Sequence, residues 1–329
     1  MAVVVSAIFY CSCQTLHTDE PDLPGPQIVF LFSPGGLGDL SYNDCILEGV
    51  QRFKLSHSDI DVFMSSPQSY EEAQRIFTDW LKRPGSDIPV VFVLASSDYE
   101  SFLDDYISDY PLADNKRILL FESLKDYKDS KISTFQISMY GASYLAGVTA
   151  RECSDDNKRL VVLGSSTDIP VFSAKDGFIA GLGEECDVEF MADDWSGYVA
   201  ASSAYQKMID WGKKYEFIFP VAGGTNAGIY RYSREYELCP YLAGIDVDQS
   251  ALSPKITGSV VKRFDLLIDS YFSRWLETGF MPAHMIYGLD SGFVDWILAS
   301  GYAHRFEKVV EENREAAVAY EKEYYEDSM

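Results

Sequence analysis

The sequence predicts an α/β protein of two doubly wound, parallel-sheet lobes with a ligand cleft between them. Three observations carry that expectation. Short apolar runs of strand length alternate with helical patterns almost without a break. The runs are continuously apolar, as in strands covered by helices on both faces. The alternation also falls into two series of comparable length with no long flexible linker, so several short crossings should join the lobes. A chain of 329 residues, 47% hydrophobic and 24% charged, has the length and composition for two such units.

In the first series "IVFLFS" (28–33) precedes the helical "NDCILEGVQRFKL", "DVFMSS" (61–66) precedes "SYEEAQRIFTDWLK", and "PVVFVLA" (89–95) precedes "DYESFLDDYI". "RILLFES" (117–123) closes it. The second series runs from "RLVVLGSS" (159–166) to a helix near Pro170, from "DVEFMA" (187–192) to one near Tyr198, and from "EFIFPVA" (216–222) to one near Asn226, then ends on "YLAGID" (241–246). Beyond residue 250, "KITGSVVKR", "HMIYGL" and "DWILA" read as strands or interlobe crossings, and 304–325 as a charged amphipathic helix. The resulting division assigns 1–26 to an export signal, lipidation site and tether, 27–133 with 247–285 to the first lobe, and 134–246 with 286–329 to the second.

The opening "MAVVVSAIFYCSC" is too short to span a bilayer, which needs about 20 apolar residues, but suits the apolar part of an export signal. No Lys or Arg precedes it. Ser12 before Cys13 fits a lipidated cysteine better than Tyr10 before Cys11, and "QTLHTDEPDLPGPQ" reads as a tether. A buried N-terminal strand and a simply cleaved signal are the other readings.

The formal charge of −24, from 51 acidic and 27 basic residues, repels nucleic acid and anionic membrane at long range. Neither is an expected partner; membrane contact is expected only through a lipid anchor. Cys45, Cys153, Cys186 and Cys239 are dispersed, with no CxxC and no histidine at ligand spacing, which argues against zinc and leaves disulfides open. The four histidines are isolated from any nucleophile or metal-ligand pattern.

The glycine-rich "VFLFSPGGLGDLSYND" (29–44) invites a nucleotide reading. A P-loop requires a lysine directly after the glycines, and none occurs before Lys54. The dinucleotide fingerprint fits at Gly36 and Gly38 but fails at Ser41, and no acid ends the second strand. "GSS" (164–166) lacks the nucleophile-elbow pattern. No catalytic residue, metal or cofactor is assigned, and binding ranks above catalysis.

The informative polar groups follow strand ends: Asp39, Ser41 and Asn43; Thr167 and Asp168; Gly223, Gly224, Thr225 and Asn226; Asp246 and Asp248. Each residue type is also a common helix cap or turn former. Together they read as a site, because strand-end loops of facing lobes converge on the crevice.

These stretches resemble the basic membrane protein family of bacterial substrate-binding lipoproteins, which includes purine nucleoside receptors of ABC transporters. The likeness runs from about residue 28 to about 295. It rests on "GGLGDLSYND", "SYLAG" (143–147), "DIPVFSAKDGFIAG", "IFPVAGGTNAGIY", "GIDVDQ" and "GSVVKRFD", which is similar to the family's S-x-v-K-R-x-D. The resemblance implies the type 1 periplasmic-binding fold. It places Asp39, Tyr42 and Asn43 near a purine edge, and Asp246 and Lys262 on ribose hydroxyls, where a carboxylate accepts two protons and an ammonium donates. The resemblance also marks Trp195, read either as a base-stacking ring or as an ordinary packing residue. Asp168, Gly224, Thr225 and Asn226, from the strand-end loops above, complete the candidate ligand set.

Departures from the family pattern are Ser33 in place of an Asp, the neutral "YGAS" before "YLAG", and Asn226 in place of a glycine. Because they fall near the cleft, they bear on which ligand is held. The implied function is a monomeric, lipid-anchored receptor on the periplasmic side of the cell envelope. It would close its lobes over a nucleoside by hinge motion and pass it to an ABC permease. The alternatives are a same-fold sensor for a signalling partner and a receptor for another hydroxyl-rich molecule such as a sugar.

Overall fold

The computed structural model describes residues 25–153 and 158–326. The expected lipidation site at Cys13 or Cys11 lies outside them. The first half of the chain gives β1 (Gln27–Phe32), α1 (Tyr42–Ser56), β2 (Asp61–Ser65), α2 (Tyr70–Lys82), β3 (Val90–Ala95), α3 (Glu100–Tyr106), β4 (Lys116–Phe121), β5 (Ile132–Ile137) and α4 (Tyr140–Cys153). There follow β6 (Arg159–Ser165), α5 (Phe172–Leu182), β7 (Asp187–Ala192), α6 (Ala201–Lys214), β8 (Phe217–Val221), α7 (Asn226–Glu235), β9 (Tyr241–Asp246) and β10 (Ile256–Lys262). The chain finishes with α8 (Phe264–Thr278), β11 (His284–Tyr287), β12 (Val294–Leu298) and α9 (Ser300–Glu326).

Two six-stranded sheets result, ordered β11-β5-β4-β3-β1-β2 and β12-β10-β9-β8-β6-β7. All pairings are parallel except β10 with β12. Strands such as β3 and β6 are buried along their whole length, which explains their unbroken apolar sequences. The two orders correspond strand for strand, each reversing direction of growth between its first and third strands. Ligand sites in such sheets form at that reversal, here beyond β1 and β3 in one lobe and β6 and β8 in the other.

The boundaries differ from expectation at one large segment. β10 pairs with β9 from Ile256 against Leu242 and with β12 from Lys262 against Val294. Residues 247–262 therefore belong to the second lobe, and the second crossing falls at Arg263 rather than near 247. Strand position within a sheet is a tertiary property that local apolarity does not encode. β5 completes the first sheet at Ile137; its sequence ISTFQI buries Ser133, Thr134 and Gln136 and so lacks the apolar run that marks the other strands. The ambiguous segments after 250 are all strands. The second lobe packs α4 and α5 at backbone contact: a Cβ on Gly181 would lie 1.9 Å from the Tyr144 carbonyl oxygen, and one on Gly177 2.1 Å from that of Tyr140.

Candidate functional site between the lobes

The opening glycine loop explains its own residues. Gly36 and Gly38 have φ of 75° and 90°, a left-handed backbone that favours glycine. Asp44 Oδ1 accepts from Gly38 N at 2.7 Å and Oδ2 from Leu40 N at 2.8 Å. Asp39 accepts from the backbone N–H groups of Ser41, Asn43 and Asp44 at 2.9, 2.9 and 3.2 Å. The N–H groups of Gly38, Leu40, Ser41, Asn43 and Asp44 are thus taken by the chain's own carboxylates rather than left for a phosphate.

Asn43 ties the loop to β1: its Oδ1 accepts from Ser33 N at 3.2 Å, and its Nδ2 donates to Ser33 Oγ at 2.9 Å and Gly36 O at 3.0 Å. Asp39 and Asn43 both line the interlobe cavity, but their polar atoms are engaged in shaping the loop. Burial raises the Asp39 carboxyl above its usual range; the N–H donors of Asn43, Ser41 and Asp44 oppose this in part.

Polar side-chain contacts around the cavity join the lobes. Ser41 Oγ donates to Asp246, Gln249 Nε2 donates to Leu40 O at 2.9 Å, Ser97 Oγ donates to Asp168 Oδ1 at 3.0 Å, and Lys262 Nζ donates to Glu122 Oε1 at 2.8 Å. The cavity beneath them leaves about 90 Å³ open to the centre of a water-sized sphere. A single water needs roughly 10–15 Å³ by that measure, so the space suits a small solute.

At the cavity floor Lys262 lies between Glu122 and Asp246, 3.7 Å from Asp246 Oδ1. Glu122 and Asp246 close equivalent strands, β4 and β9, and both adopt the left-handed backbone, with φ of 56° and 66°. Such non-glycine residues carry strain of order 1–3 kcal/mol and cluster at functional sites. Burial pulls the Lys262 ammonium down, but the two carboxylates more than offset it and hold the charge. Tyr42 lies beneath that ammonium, 5.1 Å from ring centroid to Nζ, and packs edge-on against Phe264.

Of the remaining expected residues, Asp168, Trp195 and Gly224 line the cavity. Asp168 makes no helix-cap bond; its Oδ2 accepts from Tyr198 OH at 2.5 Å. Trp195 is half-buried, and no other described ring stacks on it. Thr225 and Asn226 do not line the cavity and are corrected to scaffold roles. Thr225 Oγ1 donates to Gly197 O at 2.6 Å and accepts from Ala200 N at 2.7 Å; Asn226 accepts from Ala222 N and donates to Pro220 O. Both are fully buried, and these bonds consume their side chains.

Sequence reasoning missed Ser96, Ser97, Asp98, Glu122 and Tyr198, all cavity-lining. The first three follow β3 in "ASSDYE" and obey the same strand-end rule that found Asp168. Tyr198 passes over Gly164, where a Cβ would lie 2.4 Å from its ring.

Comparison with known proteins places these features. The family profile described as Bmp, ABC transporter substrate-binding protein PnrA-like, matches residues 27–326. Basic membrane protein A1 of Borrelia garinii subsp. bavariensis is 24% identical over 99% of this chain and 97% of its own length. A solute-binding protein of an ABC transporter system from Aeropyrum pernix K1 superposes with a TM-score of 0.70 at 18% identity, covering 91% of this chain and 86% of that one. GanP, a glucose-galactose binding protein from Geobacillus stearothermophilus, superposes at 0.59 with 14% identity, covering 83% and 97%. The two solved structures share the fold, the periplasmic-binding architecture of type 1.

Proposed function

The chain belongs to the Bmp family of PnrA-like ABC transporter substrate-binding proteins, and from that premise we propose that its interlobe cavity binds a nucleoside, a purine nucleoside in the first instance. As a family member it is an extracytoplasmic substrate-binding protein with a small-molecule ligand and a permease partner.

The observation that carries the nucleoside reading is the pairing of Asp246 and Lys262 in the same cavity that Trp195 lines. A carboxylate beside an ammonium accepts from and donates to two adjacent hydroxyls, as a ribose presents. An indole face supplies stacking worth about 1–3 kcal/mol per base. The polar partners from both lobes give a ligand more contacts in the closed state than in the open one, which is what drives closure. Anchoring through Cys13 or Cys11, monomeric action and delivery to the permease belong to the same proposal; among the described residues no helix is long and apolar enough to cross a membrane.

Isothermal titration with inosine, guanosine and adenosine tests the reading. Saturable heat is expected with at least one, and Asp246→Ala should weaken it tenfold or more. Absence of heat with all three sinks the assignment, and heat with glucose or galactose instead reassigns the cavity to a sugar.

A further inference from the structure

The crossings between the lobes lie side by side. Ser138 N of the first donates to Tyr287 O of the third, and Arg263 N of the second to Phe293 O, each at 2.8 Å. The terminal helix α9 packs on α4 of the second lobe through the ring pairs Tyr140–Tyr324 and Tyr144–Tyr320, yet its last turns seat on this hinge. The Glu321 carboxylate, 5% exposed, accepts from Ser138 Oγ and Gly141 N with Oε1 and from Leu289 N with Oε2. Residues 138–142 carry no acid of their own. A Cβ on Gly141 would stand 3.0 Å from Glu321 Oε2, and one on Gly288 2.2 Å, so both crossing segments press against this one side chain.

Tyr325 lies four residues on, on the same helix face, and extends the contact into the first lobe. Gln136 Nε2 of β5 donates to the Tyr325 hydroxyl at 3.3 Å and lies 3.5 Å from Pro170 O of the second lobe. Ser173 Oγ accepts from Met139 N at 3.4 Å and donates to Pro170 O at 3.0 Å. Met139 and Pro170 line the interlobe cavity, whereas Glu321 and Tyr325 do not. The end of α9 therefore backs a wall whose other side faces the ligand. Hinge bending concentrates φ/ψ change in a few residues at element ends, and those are the residues held here. These bonds accompany the cross-cleft contacts of Ser41, Ser97, Gln249 and Lys262.

We propose that Glu321 and Tyr325 are positioning residues: the end of α9 clasps the hinge, biases the lobes toward closure and so sets ligand affinity from outside the cavity. An apparent dissociation constant rises as the binding-competent fraction of the protein falls. The effect on nucleoside affinity rests on the nucleoside reading above; the effect on lobe position does not.

Tyr325→Phe keeps the ring and removes the hydroxyl that meets Gln136, and Glu321→Gln keeps the size but aims an N–H at groups that donate to the carboxylate. Tyr324→Phe, which loses a bond to Asp176 inside the second lobe, is the control. In small-angle scattering of the ligand-free protein, both clasp variants should show a larger radius of gyration than wild type and control. In titrations with inosine, guanosine and adenosine, the nucleoside that wild type binds best should bind each clasp variant about threefold or more weakly, and at saturation should restore the wild-type bound radius. Damage to the fold alone would not be reversed in this way. Wild-type radii in both clasp variants, unchanged affinity in both, or an equal change in the control overturns the proposal. Should Glu321→Gln not fold, Tyr325→Phe decides by the same criteria. If no nucleoside binds the wild type, the nucleoside reading falls and scattering alone decides on the clasp.

Discussion

At the scale of single residues the cavity is governed by which charges are paired. Lys262 is buried between Glu122 and Asp246, and removing one partner of a buried ionic group costs about 3–5 kcal/mol because the other is left uncompensated. Lys262→Met should therefore lower unfolding stability by that order in denaturant titration. Asp98 works in the opposite sense. Its folded carboxyl titrates near pH 6, above the ordinary aspartate value, so its contribution favours the fold when protonated and is lost as pH rises through about 6. Asp98→Asn should stabilise the ligand-free protein at pH 7.5 by up to roughly 3 kcal/mol, since each tenfold change in proton affinity corresponds to about 1.4 kcal/mol, and should change little at pH 4. A thermal melt at the two pH values reads this out; an equal change at both refutes it.

At the scale of elements, α9 joins the crossings. Glu321 accepts from Ser138 Oγ at 2.5 Å, Gly141 N at 2.9 Å and Leu289 N at 2.7 Å. One side chain therefore fixes the segment entering α4 and the segment between β11 and β12. A Cβ on Gly288 would lie 2.2 Å from its carboxylate, which accounts for glycine there. Hydrogen bonds to a charged group contribute about 1.5–3 kcal/mol each, less when neighbours compensate, so Glu321→Ala should cost about 3 kcal/mol or more in chemical denaturation. A loss below about 1 kcal/mol, the net worth of one ordinary hydrogen bond, would show that the crossings hold without it. The sequence marks α9 as a charged amphipathic helix, and nothing in its periodicity singles out Glu321: a buried glutamate inside a run of surface glutamates carries no local signature.

At the scale of the whole molecule, ligand and fold are linked through closure. A ligand at one hundred times its dissociation constant should stabilise the protein by about 2.7 kcal/mol, with a matching rise in melting temperature and a smaller radius of gyration. No shift in either with a ligand that binds by titration would argue against hinge closure. The two-lobe plan was legible because parallel strands covered on both faces write continuous apolar runs. Asp39, Asp168 and Asp246 were legible as cavity-lining because loops at strand ends meet in the crevice; Lys262 was legible only through the family resemblance of "GSVVKRFD". What escaped was decided by three-dimensional packing: the sheet that takes β10, the left-handed turn that aims Glu122, and the cap bonds that absorb Thr225 and Asn226. Asp98 was within reach of the strand-end rule, although its bond to Ser96 Oγ is a packing detail that no sequence records.

The pairing of β11 with β5 bears on how the chain is made. His284 and Thr134 sit side by side although 150 residues separate them. The first lobe, begun at Gln27, stays one strand short through synthesis of nearly the whole second lobe, with β5 presenting an uncovered edge. Neither lobe is a contiguous piece of chain that a ribosome releases complete. A nascent or truncated chain ending before residue 284 should thus be sensitive to protease near β5 in a way the finished protein is not.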